Sequence, residues 1–317
     1  MPNSKFLARN VARAVIPLTL ALTLPVISFG LETPPGEKEK SPEELQAVAE
    51  SGDPEAQFLL GRAYWHGKGV KMDRKSAVEL YRQAAEKNHG EALAALGAAY
   101  TLGIGVEQKD EQAAAEYSRR AAERGSAIGQ MNYGVALILG KGVEKKMEEG
   151  VRWVTKSAEQ GLAKAQMRLA DFYVTGDFGA PRDYDQAIKW ARKAAEQDEP
   201  AALNLYGVMV RDGMGIKRDP AASIPYFQRA ADKNNLRAYV NLGMAYFNGN
   251  GVERDRIQGM SWWFAGETLG DAMCRETAVR EIAGIPPEDI RQARELGAKL
   301  ANQRAGAVVR SKLDPGK

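Results

Sequence analysis

The sequence contains few of the residues that hold metals and redox groups. Its 317 residues include one cysteine, Cys274, and two histidines, His66 and His89. A single cysteine excludes an internal disulfide, a cysteine-rich zinc site and an iron–sulfur cluster, and two histidines leave little room for a histidine-based metal centre. We therefore predict no metal and no cofactor, and we interpret these three side chains as turn or packing residues.

Catalytic motifs are missing as well. No serine is followed by lysine three residues later, and Gly-x-Ser-x-Gly, His-Glu-x-x-His and Cys-x-x-Cys do not occur. These patterns supply the nucleophiles, zinc sites and redox pairs of several enzyme classes. The Gly-x-Gly pairs of the chain lack the third glycine of a nucleotide-binding fingerprint. We predict no catalytic residues and no enzyme activity, and the alternative is an envelope enzyme of the β-lactamase or cell-wall-acting type.

A long apolar run without charges lies near the N-terminus, over residues 14–27. Cations precede the run and small residues follow it at the spacing of a cleavage site: Lys5, Arg9 and Arg13, then Ser28 and Gly30. The run is shorter than the roughly 20 residues that span a bilayer, which disfavours an uncleaved anchor. We predict a secretory signal peptide over residues 1–30 and a polar linker over 31–41. The expected location is periplasmic, without stable membrane insertion after signal cleavage.

The mild excess of positive charge belongs to the same N-terminal segment. The formal charge of the chain is +3, and residues 1–30 contain three cations and no acidic residue. The rest of the chain is therefore electrically balanced. A balanced chain gives no compositional support for a nucleic-acid partner, and we predict none.

The main positive feature of the sequence is a repeat of 36 or 37 residues. One small residue marks the same position in six segments: Gly61, Gly97, Gly134, Ala170, Gly207 and Gly243. In the first segment, Ala56, Leu60 and Tyr64 form a helical stripe, a Gly-x-Gly turn follows, and Asp73 suits the N-cap of a second helix. Each segment therefore reads as helix, tight turn, helix.

A single helix hairpin cannot bury its apolar stripe, so neighbouring hairpins must stack. We predict an all-α fold, a right-handed α-solenoid over residues 42–285 with about six repeats in 54–270. A C-terminal capping helix is expected over 286–303 and a flexible tail over 304–317. The aromatic residues Trp262, Trp263 and Phe264 recur as large residues in other repeats, so we interpret them as packing residues that the final cap covers.

The shared pattern A-x-x-x-L-G-x-x-Y-x-x-G-x-G-V resembles the Sel1-like repeats, a relative of the tetratricopeptide repeats. Segments one, two and six fit best, whereas segment four has Ala170 in place of glycine and a longer turn. The resemblance implies an α-solenoid that acts as an adaptor, scaffold or signalling regulator through protein–protein contacts.

A candidate binding surface follows from positions that vary between repeats. These positions lie three before, one after and four after the marker residue, on the first helix of each repeat. In segments one, three and six they are Phe58, Arg62, Trp65, Met131, Val135, Ile138, Val240, Met244 and Phe247. Exposed, they would line an apolar groove for a helix or an extended peptide. The alternative is that they are extra core between adjacent first helices, in which case polar replacements lower the stability.

The function that we predict is an exported scaffold or adaptor of the bacterial cell envelope, with a regulatory role among the options. It binds a protein or peptide partner on the concave face of the solenoid and performs no covalent chemistry. A glycan-binding module is a further alternative, which the apolar lining disfavours.

Overall fold

The computed structural model describes the backbone of residues 40–313 and the side chains of residues 40–304. The predicted signal peptide over 1–30 and nearly all of the linker lie outside this part. Every regular element in the described part is an α-helix, arranged as repeated hairpins, which confirms the predicted all-α solenoid. No helix in the described part is long and apolar enough to cross a membrane.

The chain divides into two compact units, Met1–Arg182 and Asp183–Lys317. The helices of unit 1 are α1 (Pro42–Glu50), α2 (Pro54–His66), α3 (Arg74–Glu86), α4 (Gly90–Leu102), α5 (Glu111–Glu123), α6 (Ala127–Leu139), α7 (Met147–Glu159) and α8 (Ala163–Thr175). The helices of unit 2 are α9 (Tyr184–Glu196), α10 (Pro200–Asp212), α11 (Pro220–Asp232), α12 (Leu236–Asn248), α13 (Arg256–Thr268), α14 (Ala272–Glu281) and α15 (Pro287–Leu313).

The first helix of each repeat ends at a glycine with left-handed backbone angles, because glycine adopts a positive φ without a Cβ penalty. The φ angles lie between 67° and 76° at Gly67, Gly103, Gly140, Gly176, Gly213 and Gly249. Second helices begin at a capping aspartate, as predicted at Asp73; the others are Asp110, Asp183, Asp219 and Asp255. The exception is α7, where Lys146 makes no side-chain cap.

Two kinds of glycine allow the helices to approach closely. Marker glycines face their own second helices: a Cβ on Gly61 would lie 2.7 Å from the Tyr81 ring and one on Gly207 2.7 Å from the Phe227 ring, whereas Gly134 faces the backbone of Gly150. The second glycine of the turn rests on the first turn of the preceding second helix, as Gly142 does on Glu111 and Gly105 on Arg74. The turns therefore connect neighbouring repeats as well as the two helices of one repeat.

Capping helices close the stack at the described ends. In unit 1, Leu45 and Ala49 of α1 cover Ala56 and Leu60 of α2. In unit 2, α15 lies on α13, with Gly297 against Phe264.

The aromatic triplet is buried, which agrees with its interpretation as packing residues: Trp262, Trp263 and Phe264 are 5%, 0% and 2% exposed. The backbone of α15 stays helical to Leu313, beyond the boundary at 303 that the sequence suggested for the capping helix. The helix continues because no proline interrupts it before Pro315.

Candidate partner-binding surface

Five of the nine residues predicted to line a groove are in the core. The exposed fractions are 1%, 5%, 1%, 0% and 8% for Phe58, Trp65, Met131, Ile138 and Phe247. For these five residues the structure supports the alternative interpretation, extra core. They do not line an exposed groove, so the groove prediction is wrong for them.

The reason is the direction in which these positions point. Phe58 and Trp65 turn toward the second helix of their own repeat, with ring centroids 5.9 and 6.2 Å from that of Tyr81. Phe247 makes the same kind of contact with Trp263, at 5.1 Å. Phe58, Trp65 and Phe247 therefore extend the stripe that holds their own hairpins together.

The other four predicted residues are half-buried. Arg62 on α2 and Val135 on α6 belong to unit 1, and Val240 and Met244 on α12 belong to unit 2. Three of these four, all but Val240, occupy the position one after the marker residue; in the other three repeats that position is buried, at Ala98, Asp171 and Val208.

Unit 1 carries an apolar surface on α4 and α6. We define the unit 1 surface as the half-buried residues Leu102, Asn132, Val135 and Leu139. On α6 the spacing i, i+3, i+7 places the last three on one helical face. The two helices contain one charged residue, Glu91. The sequence analysis predicted Val135 but not Leu102, Asn132 or Leu139. The near absence of charge in both helices is the sequence feature that could have indicated them.

At the end of α2, His66 is less readily protonated than a free histidine. Burial, followed by the positive charges of Arg62 and Arg74, lowers the pKa of His66 from its ordinary value. The other histidine, His89, has a capping role: its Nδ1 accepts the backbone N–H of Ala92 at 3.2 Å. Both histidines therefore lie at helix ends: His66 is the last residue of α2, and His89 is the N-cap of α4.

Unit 2 carries a polar network between α10 and α12. Nε and Nη2 of Arg211 donate to the two carboxylate oxygens of Asp212, both at 2.8 Å. Nη1 of Arg211 donates to Oδ1 of Asn241 at 2.8 Å, and Nδ2 of Asn241 donates to Oδ1 of Asn204 at 2.8 Å. We define these four residues as the unit 2 network. The Arg211 and Asp212 side chains are 18% and 24% exposed, and Asn204 is buried.

The second helices present a different surface, made of charges and stacked rings. In four of them an aromatic residue is covered by the basic residue three positions later: Tyr117 by Arg120, Trp153 by Lys156, Trp190 by Lys193 and Tyr226 by Arg229, with the cation 4.4 to 6.0 Å from the ring centroid.

The described side chains do not form a metal cluster. Across residues 40–304, no group of three or more His, Cys, Asp or Glu residues lies close enough to hold an ion. Cys274 is fully buried, and desolvation raises the pKa of its thiol, so the thiolate needed for nucleophilic attack is disfavoured.

Comparison with known proteins adds the family. The Sel1 repeat model matches six consecutive segments, residues 54–89, 90–126, 127–162, 163–199, 200–235 and 236–271. A comparison with curated proteins finds no match.

Two solved structures are similar to the chain. One is a protective antigen of uropathogenic Escherichia coli strains with an SLR fold, with a TM-score of 0.65 and 29% identity over 88% of this chain. The match spans 60% of that protein's length. The other is a Sel1 repeat protein from Oxalobacter formigenes, with a TM-score of 0.63 and 27% identity over 72% of this chain and 100% of its own. The chain belongs to the Sel1 repeat family.

Proposed function

We propose that this protein is an exported scaffold of the bacterial cell envelope that binds a partner protein through its first helices. Sel1 repeats generally mediate protein–protein interaction, and Sel1 repeat scaffolds are generally not enzymes. The proposal adds three specific points to that family property: export, an envelope role and a binding surface.

The observation that carries the proposal is the contrast between the two kinds of helix. Stacking buries the stripe of each hairpin, yet Leu102, Val135 and Leu139 remain half-buried on the outside of α4 and α6. Second helices instead expose charges, such as Arg152 and Glu159 of α7. An apolar surface with few charges is typical of a docking site for another protein.

Site-specific crosslinking tests the surface. A photoreactive phenylalanine analogue is placed at Val135 or Leu139, with Arg152 on the outward face of α7 as the matched control. In the native cells, we expect one partner band from the first two positions and none from the control. Equal crosslinking from all three positions would contradict a binding surface on the first helices.

Export is tested independently. The intact mass of the protein from the native cells should correspond to a chain that begins at Leu31, and fractionation should recover it with periplasmic markers. A full-length chain found with cytoplasmic markers would remove the envelope part of the proposal and leave the binding surface untouched.

A further inference from the structure

Two residues of the unit 2 network, Asn204 and Arg211, occupy positions that most other repeats fill with apolar residues. Asn204 corresponds to Phe58 and Met131, and Arg211 corresponds to Trp65 and Ile138. These four counterparts are at most 5% exposed and pack their hairpins together. Apolar residues therefore fill these two positions in other repeats of the same chain, but not in the fifth repeat.

Polar groups at such positions are expensive for the fold. A buried hydrogen-bond network loses the hydration of its polar groups, and a protein with apolar residues of similar volume at these sites is often equally stable or more stable. A local departure from the pattern that stabilises the remaining repeats points to a functional role. Since Arg211 and Asn241 are half-buried, the network is reachable from the surface of the first helices.

The internal pairing of the network defines what it can bind. Asp212 holds Arg211 through two parallel hydrogen bonds, so the positive charge is already neutralised. Each of Arg211, Asn241 and Asn204 has more N–H groups than the described residues accept. A neutral surface with unused donors complements neutral acceptors, whereas a carboxylate ligand would meet the carboxylate of Asp212.

We propose that the unit 2 network binds main-chain carbonyl groups of an extended, uncharged segment of the partner protein. The inference rests on the proposed function and specifies the partner chemistry in unit 2. Recognition of this kind depends little on salt, because no net charge is neutralised on binding.

Peptide selection tests the inference with a defined probe. A phage library of random 12-residue peptides is selected on the purified chain, and bound peptides are measured on a variant with apolar or neutral residues from other repeats. The variant combines Asn204→Met, Arg211→Val, Asn241→Leu and Asp212→Asn. The single variant Asn241→Leu is measured beside it, so a fold defect in the first leaves a second readout.

We expect enriched peptides without acidic residues, a loss of at least about tenfold in affinity on both variants, and an unchanged or higher Tm for the combined variant. Wild-type affinity should change less than about twofold between roughly 50 and 500 mM NaCl.

Peptides that bind wild type and variants equally would overturn the inference and leave the proposed function standing. Acidic, salt-sensitive peptides would overturn it in favour of charge recognition. A selection that enriches no peptide would count against both.

Discussion

Gly142 and Gly125 differ in one respect that a single methyl group can measure. Both glycines have a positive φ, 67° and 86°. A Cβ on Gly142 would overlap the carbonyl oxygen of Glu111 at the start of α5, whereas a Cβ on Gly125 would meet nothing within 4 Å. The pair Gly142→Ala and Gly125→Ala therefore separates the cost of the backbone conformation from the cost of the contact between repeats.

The expected magnitudes follow from this difference. Alanine in the left-handed region costs about 1–2 kcal/mol at either site. At Gly142 the turn must also move away from α5, and overpacking of this kind costs about 1–3 kcal/mol more. For a chain of 317 residues, an unfolding entropy of about 2.1 cal/mol/K per residue makes that additional loss roughly 1.5–4.5 °C in Tm below the Gly125→Ala variant.

Thermal unfolding followed by circular dichroism measures the two variants, and hydrogen exchange locates the loss. In Gly142→Ala, we expect faster exchange in α5 and in the turn between α6 and α7. Equal Tm losses in the two variants would show that the turn glycine serves only its own backbone angle, and would refute the argument that it couples repeats.

Three further predictions concern single side chains. Lys146→Asp should supply the missing cap of α7 and stabilise the chain by about 1 kcal/mol in urea unfolding, whereas Lys145→Asp changes the charge equally and should not. Ile138→Ala should cost about 3 kcal/mol because the side chain is fully buried, and Val135→Ala about 1 kcal/mol or less because it is half-buried; an equally small loss at Ile138 would restore the groove interpretation. The lowered pKa of His66 means that the unfolded chain binds its proton more readily, so stability falls as the pH drops through about 6.5. His66→Gln should weaken the Tm decrease between about pH 7.5 and pH 5.5, and an unchanged decrease would exclude this histidine as a source.

The fold was predictable because each repeat contains its own local signals. The Gly-x-Gly turn and the capping aspartate lie within a few residues of each other, so Gly67 and Asp73 identify a helix end and a helix start without tertiary information. The Sel1 repeat family and the all-α solenoid are both confirmed. A pattern that recurs six times also averages out individual departures such as Ala170.

The surface was harder to predict because burial depends on neighbouring helices. Ile138 and Val135 are both apolar residues on one helix, and only the position of α7 decides that the first is enclosed. The hydrogen bond between Arg211 and Asn241 joins residues 30 positions apart, and neither has a local motif. Three residues of the unit 1 surface were missed for the same reason. Export and the partner stay predictions.

The contact between each second turn glycine and the preceding second helix limits the insertions and deletions that the array tolerates. Gly215 rests on Tyr184 and Gly251 on Pro220, in the same way as Gly142 rests on Glu111. Helices α2 to α13 each contain 13 residues, so helix length and turn position are locked together. Losing one residue inside a helix rotates the remainder of that helix by about 100°, so the next turn glycine no longer contacts the preceding second helix. Losing a whole repeat brings equivalent surfaces together again, which makes the repeat the smallest unit of length that the array can exchange.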